Sequence, residues 1–360
     1  MPSFKSGEVV TLIEERAGLQ RVEVELGSGP ERAYVLTQLT GRVDMGDRVV
    51  VNTTAVELGL GTGGWHVVHW NLNCEAWSEP GPGHIIKGRY TSLQADVGST
   101  EEHLPELADI TSIDGMPVVA AALHGQLPAV AVAYKRHRPE GRLAYVMTDG
   151  AALPLALSDL VADLRARELL DTAITCGHAF GGDYEAVSVY SALAVARHIA
   201  RCDAAVVVMG PGIVGTATRR GFTGIEVGPV LDAAAGLGGV PIACLRASFA
   251  DPRPRHRGVS HHTLTALSVA TQSRVAIALP TVGGIEEQTL RADLAEAGLD
   301  TRHDIVDVAP VGIVDLFAAL DLTVSSMGRP AAADPVLFEA AAAAGSVAAC
   351  PTPPDASNAS

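Results

Sequence analysis

The sequence predicts an α/β fold with a largely parallel sheet flanked by helices, preceded by a small β-rich, barrel-like N-terminal module. Three observations carry this. From residue 116 onward, apolar runs of strand length alternate with helix-length amphipathic segments, which is the pattern of βα units. Before residue 78 the runs are short, partly alternating and separated by Gly-rich turns. The composition is 48% hydrophobic but only 4% aromatic, so Ala, Val, Leu and Gly must fill the core and let layers approach closely. These rhythms divide the chain into a β-rich module over 1–78, a linker or loop segment over 79–115, an α/β domain over 116–348 and a disordered tail over 349–360.

The first module reads as strands at Val9–Ile13, Arg21–Leu26, Arg48–Val51 and Trp65–Trp70. Turn signals at Gly27-Ser28-Gly29-Pro30, Gly46-Asp47 and Gly61–Gly64 separate them, which suits a small barrel. His66 and His69 are an odd number of residues apart, so an ideal strand sends them to opposite faces. They are read as structural residues rather than a metal pair. Glu79-Pro80-Gly81-Pro82-Gly83-His84 breaks regular structure, and the segment that follows carries Lys87, Arg89 and Tyr90 as potential cationic contacts.

In the second domain the predicted strands are Val118–Leu123, Leu143–Met147, Thr172–Cys176, Ala204–Met209, Val240–Leu245, Val275–Leu279, Ile305–Val308 and Leu322–Ser325. The helices between them include Leu127–His137, Leu155–Leu170, Tyr184–Arg201 and Val230–Leu237. The chain becomes Ala-rich from Ala340 and then Pro-rich, which predicts the tail.

A net charge of −15 opposes a broad nucleic-acid-binding face, so no nucleic-acid partner is expected. No run approaches the roughly 20 apolar residues of a membrane span, and Met1–Glu8 has no apolar signal segment. A cytoplasmic protein is the expectation. The five cysteines are odd in number and form no CxxC pair, so Cys176, Cys202 and Cys244 are read as small core residues.

In a parallel sheet, ligands bind beyond the carboxyl ends of the strands. Those ends run into His124-Gly125-Gln126, Thr148-Asp149-Gly150, Gly177-His178 with Gly181-Gly182-Asp183, Gly210–Thr218, Arg246 with Ser248, and Ser326–Arg329. Glycines with titratable or hydroxyl side chains at nearly every end point to a ligand site. Gly210, Gly212 and Gly215, with Thr216 and Thr218, resemble a phosphate cradle, although no Gly-Lys-Ser/Thr follows and the GxGxxG fingerprint is incomplete. A tight turn is the plain alternative.

Asp251–His262 holds three arginines and three histidines in twelve residues. Such a local reversal of charge suits an anion, and Arg255, His256 and Arg257 are its candidate holders. Asp183 is a further candidate ligand residue. His124, Asp149, His261 and His262 are candidates for proton transfer, and a divalent metal is compatible with them. Adjacent histidines normally point apart, so at most one of His261 and His262 would be a direct ligand. Ser260 is the predicted cap of a helix through Leu267. There is no G-x-S-x-G elbow, so nucleophilic catalysis has little support. His137, His198 and His303 read as structural.

Several segments together, Asn52–Gly64, Gly81–His84, Arg89–Thr91, Tyr145–Gly150, Ala179–Asp183 and Arg255–Thr263, resemble an uncharacterised bacterial family, domain of unknown function 3866. The resemblance implies no activity. In that family the position of His178 is often Gln and that of Ala217 often Gly.

The reading is an enzyme, a hydrolase or group transferase, acting on a small anionic substrate, with phosphate-bearing compounds as the candidate class, at the carboxyl edge of the sheet. The alternative is a non-catalytic sensor of an anionic metabolite. A homo-oligomer is compatible with the sequence, and the blandest reading makes the loops a dimer interface.

Overall fold

A computed structural model describes residues 2–350. Two compact units divide between Gly98 and Ser99. In the first, strands β1 (Phe4–Arg16), β2 (Leu19–Glu25), β3 (Pro30–Val35), β4 (Arg48–Asn52) and β5 (His66–Asn71) close into a barrel of order β1-β2-β3-β5-β4. The β3–β5 pair is parallel and the other pairs are antiparallel. Inward residues come two apart, as a pleated strand requires: Val22 and Val24, Ala33 and Val35, Val49 and Val51 are all fully buried. The sequence reading missed β3, whose apolar alternation is confined to Ala33 and Val35 behind charged residues. His66 turns inward and its Nε2 meets Glu31 Oε2 at 2.8 Å. A short antiparallel pair, β6 (Ile86–Lys87) and β7 (Ala95–Asp96), lies in the same unit.

The second unit is built on a sheet of β8 (Pro117–Ala120), β9 (Leu143–Met147), β10 (Thr172–Cys176), β11 (Tyr184–Ala186), β12 (Ala204–Val207), β13 (Val240–Cys244), β16 (Ala276–Pro280) and β17 (Asp304–Val308). Two-residue pairs β14 (Ala247–Ser248) with β15 (Gly258–Val259), and β18 (Ser325–Ser326) with β19 (Arg329–Pro330), stand outside it. The sheet order is β11-β10-β9-β12-β8-β13-β16-β17, and every pair is parallel.

The strands are apolar on both faces because helices cover both. Val119, Leu143, Tyr145 and Met147 face one core, shared with the Leu127–His137 and Pro335–Ala349 helices. Val118, Ala120, Ala144 and Val146 face the other, shared with the Val189–Ala194, Val227–Gly236 and Gly284–Glu296 helices. Cys176, Cys202 and Cys244 are buried, and burial pushes the Cys202 thiol up to about 12.

Three predicted elements differ. The Leu155–Leu170 helix is broken at Ser158 into a 3-10 turn over Leu155–Leu157 and a helix over Asp159–Ala166 that Ser158 caps. Tyr184–Ala186 is an edge strand, and the helix starts only after Ser188, whose hydroxyl caps it. Leu322–Ser325 is not a sheet strand; only Ser325–Ser326 is extended, paired with Arg329–Pro330. The predicted tail over 349–360 lies outside the described residues from 351 onward.

Candidate functional site

The connections leaving β8 and β9 cross over the first face, whereas those leaving β12 and β13 cross over the second. Since β8 sits between β12 and β13, and β12 between β8 and β9, the chain parts at the carboxyl ends of these central strands. This is the switch point where α/β sheets open a crevice. His124, Asp149, Gly210 and Arg246 follow the four strands in question.

His124 opens a short turn that Gln126 pins: the Gln126 amide donates to Leu245 O at 2.8 Å and its oxygen accepts from Leu123 N at 3.1 Å. Both ring nitrogens of His124 are engaged. Nδ1 lies 3.2 Å from Met209 O and donates to it; Nε2 lies 2.8 Å from Ser158 Oγ. Burial depresses the imidazole to about 4. His124 is therefore a neutral strut between loops, not a group free to shuttle protons.

Asp149 is exposed, and its Oδ2 accepts from His178 N at 2.9 Å. Gly177 makes this contact possible. Its φ is +65°, and a Cβ there would run into the Asp149 carboxylate. Beside Asp149 stands Glu226, which the sequence reading overlooked. Its Oε1 accepts from Thr148 Oγ1 at 2.5 Å. Burial, opposed by that hydrogen bond and reinforced by the negative charge of Asp149, raises the Glu226 carboxyl to about 7. Two neighbouring carboxyl groups, one exposed and one holding its proton near neutrality, are a usual arrangement for acid–base chemistry.

The Gly210 loop does not run straight into a helix as a phosphate cradle would. Gly215 pairs with Phe222 in an antiparallel bridge, and the Thr216 and Thr218 hydroxyls meet each other at 3.0 Å. Thr218 also accepts from Gly221 N. These two hydroxyls are spent closing the loop on itself. Gly212, at φ +102°, is exposed. The loop's main structural partner is a ring: Phe222 stacks on His262 at 3.8 Å between centroids, only 2° from parallel.

That stack joins the loop to the histidine cluster. Ser260 caps the His261–Thr265 helix by accepting from His262 N, and it meets His256 Nδ1 at 2.7 Å. The rings of His256, His261 and His262 gather with centroids 4.4 to 5.0 Å apart, so the adjacent His261 and His262 do converge. The helix turn ordinarily fans neighbouring side chains apart; here Phe222 and Arg246 hold His262 back toward the group. His256 and His262 are both depressed to about 3, chiefly by burial and then by Arg246, and His261 is lowered as well.

The arginines divide. Arg253 is bound to Asp251 through two nitrogens, at 2.9 and 2.8 Å, and Arg329 bridges Asp251 and Asp334. These guanidiniums hold the Asp251 carboxyl far below its usual range. Arg246 is 3% exposed, donates to His262 Nδ1 at 3.1 Å, and stands 3.9 Å from Asp251. Its Nη2 has no hydrogen-bond partner. Arg255 and Arg257 are exposed and close no ion pair among the described residues. His256 is buried rather than presented to solvent.

Asp183 is a correction. In the register of β10 and β11 it lies level with Ala173, at the amino end of the sheet, where Oδ2 accepts from Ala173 N and Oδ1 from Arg165. The chain runs back down the sheet before starting a parallel strand, so Asp183 sits at the edge opposite the site. His198 and His303 bond backbone carbonyls, as structural histidines do.

A family model for a protein of unknown function, DUF3866, matches residues 32–345. The chain belongs to this family. No curated protein matches it. The crystal structure of YjeQ from Thermotoga maritima is similar over 76% of this chain and 68% of that one, at 11% identity and a TM-score of 0.15; a likeness this slight says nothing about the site. Ala217 adopts φ +63°, a left-handed conformation that suits glycine far better than alanine.

Proposed function

We propose that this protein is an enzyme, a hydrolase or group transferase, acting on a small anionic substrate at the carboxyl edge of the parallel sheet. The observation that carries the reading is Glu226, a carboxyl raised to about 7, hydrogen-bonded to Thr148 and beside Asp149 at the switch point. Glu226 passes a proton to or from the substrate. Asp149, exposed beside it, orients or activates the attacking group. His124 holds the Met209 and Ser158 loops in register.

The anion is held by Arg255 and Arg257, whose guanidiniums extend from the histidine loop into solvent. The two halves are close neighbours in the chain's path. Phe222, stacked on His262, and Glu226 bracket a single 3-10 turn, Thr223–Glu226, a rise of roughly 8 Å.

A screen of nucleotides, sugar phosphates and organic acids for thermal stabilisation identifies the ligand, because whatever binds the native state raises the melting point. The proposal expects turnover of that ligand or a derivative. Glu226→Gln should lose roughly 10²- to 10⁴-fold in turnover while still binding. Equal turnover in Glu226→Gln and the parent would remove the acid–base role. A ligand that binds but is never converted would favour the sensor.

A further inference from the structure

We propose that His256, His261 and His262 form a binding site for a borderline divalent transition metal of the zinc class. The inference is separate from the Glu226 reading and stands or falls without it. One ring nitrogen from each of the three residues lies within 4.8 Å of the others. A tetrahedral ion at 2.0–2.1 Å from each nitrogen would need them about 3.4 Å apart. The rings must therefore close by up to about 1.4 Å, and His261 is the half-buried member of the three. Three imidazoles and no carboxylate in the set select zinc, cobalt, nickel or copper over magnesium and calcium. A fourth position stays open for water or an anion.

Two orphaned atoms give this cluster its direction. His261 Nε2 is buried and makes no hydrogen bond, a cost that a metal–nitrogen bond would remove. Arg246 Nη2 is likewise buried without a hydrogen bond. In the present arrangement Arg246 Nη1 occupies the His262 Nδ1 lone pair at 3.1 Å, while Asp251 waits 3.9 Å from Nη2. Metal entry at Nδ1 displaces Arg246, which then closes its ion pair with Asp251. His256 is oriented for the same purpose, since its Nδ1 can donate to Ser260 Oγ at 2.7 Å and leave Nε2 as the ligand atom. The neighbouring Arg246, Arg253 and Arg255 oppose a bare dication, and Asp251 and Asp334 are themselves engaged by Arg253 and Arg329. The open position should therefore take an anionic ligand together with the metal.

The test uses the full chain without an affinity tag, titrated calorimetrically with Zn²⁺ and by visible spectroscopy with Co²⁺, with and without inorganic phosphate. Stoichiometric Zn²⁺, cobalt bands of a low-symmetry site and tighter binding with phosphate are expected; Mg²⁺ should give none of these. His261→Ala should abolish the cobalt bands, Ser260→Ala should weaken binding roughly 10- to 100-fold, and Arg246→Met should strengthen it. Absence of stoichiometric Zn²⁺, or cobalt bands unchanged in a folded His261→Ala, overturns the site. Should the variants not fold, X-ray absorption of the cobalt-loaded parent decides: imidazole scattering supports the site, and a shell of oxygen alone overturns it.

Discussion

At the scale of single residues, Glu226 ties stability to pH. Its carboxyl is raised to about 7 in the folded protein from an ordinary value of 4.5. Between those values the folded chain keeps a proton that the unfolded chain has released. Unfolding then sheds a proton, so stability falls as pH rises through this window and levels off above it. The shift corresponds to roughly 3 kcal/mol at most. Glu226→Gln should flatten this slope, measured as the urea midpoint from about pH 4.5 to about pH 8; an identical slope in parent and variant would refute the assignment. Nothing in Gly221–Val227 marks Glu226 as unusual. Its proton affinity depends on burial, on Thr148 at a sequence distance of 78 residues, and on Asp149. The histidine loop differs, because its charge reversal is local and was legible. What remained illegible was the pairing of Arg253 with Asp251 and the ring stack on Phe222, both set by tertiary packing.

At the scale of elements, most sheet strands were readable because burial on both faces leaves continuous apolar runs. Leu143–Met147 and Thr172–Cys176 have the predicted ends, as does the Leu127–His137 helix. The Pro335–Ala349 helix was only partly foreseen, as an Ala-rich stretch. It is buried along nearly its whole length and packs on the Leu127–His137 helix. Small side chains allow that contact, and Gly345 is its tightest point: a Cβ there would run into the Val130 carbonyl. Gly345→Val should destabilise the protein by about 1–3 kcal/mol through overpacking, read from chemical denaturation. A change below about 0.5 kcal/mol, within ordinary surface variation, would mean the helices are not held this close. Glu339 in the same helix accepts from Val311 N and Ile313 N, satisfying the first turn of the Ile313–Ala319 helix.

At the scale of the whole molecule, among the described residues the two cores of the α/β unit contain none before Leu107, and the barrel core contains none after Val68. Residues 99–350 expressed alone should therefore unfold cooperatively. A truncated chain without a cooperative melt would show that the unit needs the first 98 residues to fold. Among the described residues no helix is long and apolar enough to cross a membrane.

Local periodicity and turn chemistry by themselves determined the β-rich start, the parallel sheet and the edge where glycines and polar residues collect, because those signals are written within ten or so neighbouring residues. The tertiary structure alone decided which of those residues meet. It carried Asp183 to the opposite edge, closed Thr216 and Thr218 on each other, brought Glu226 beside Asp149 and gathered three histidines around Arg246. Burial and charge proximity act through space, and the order in which the strands are laid into the sheet sets those distances.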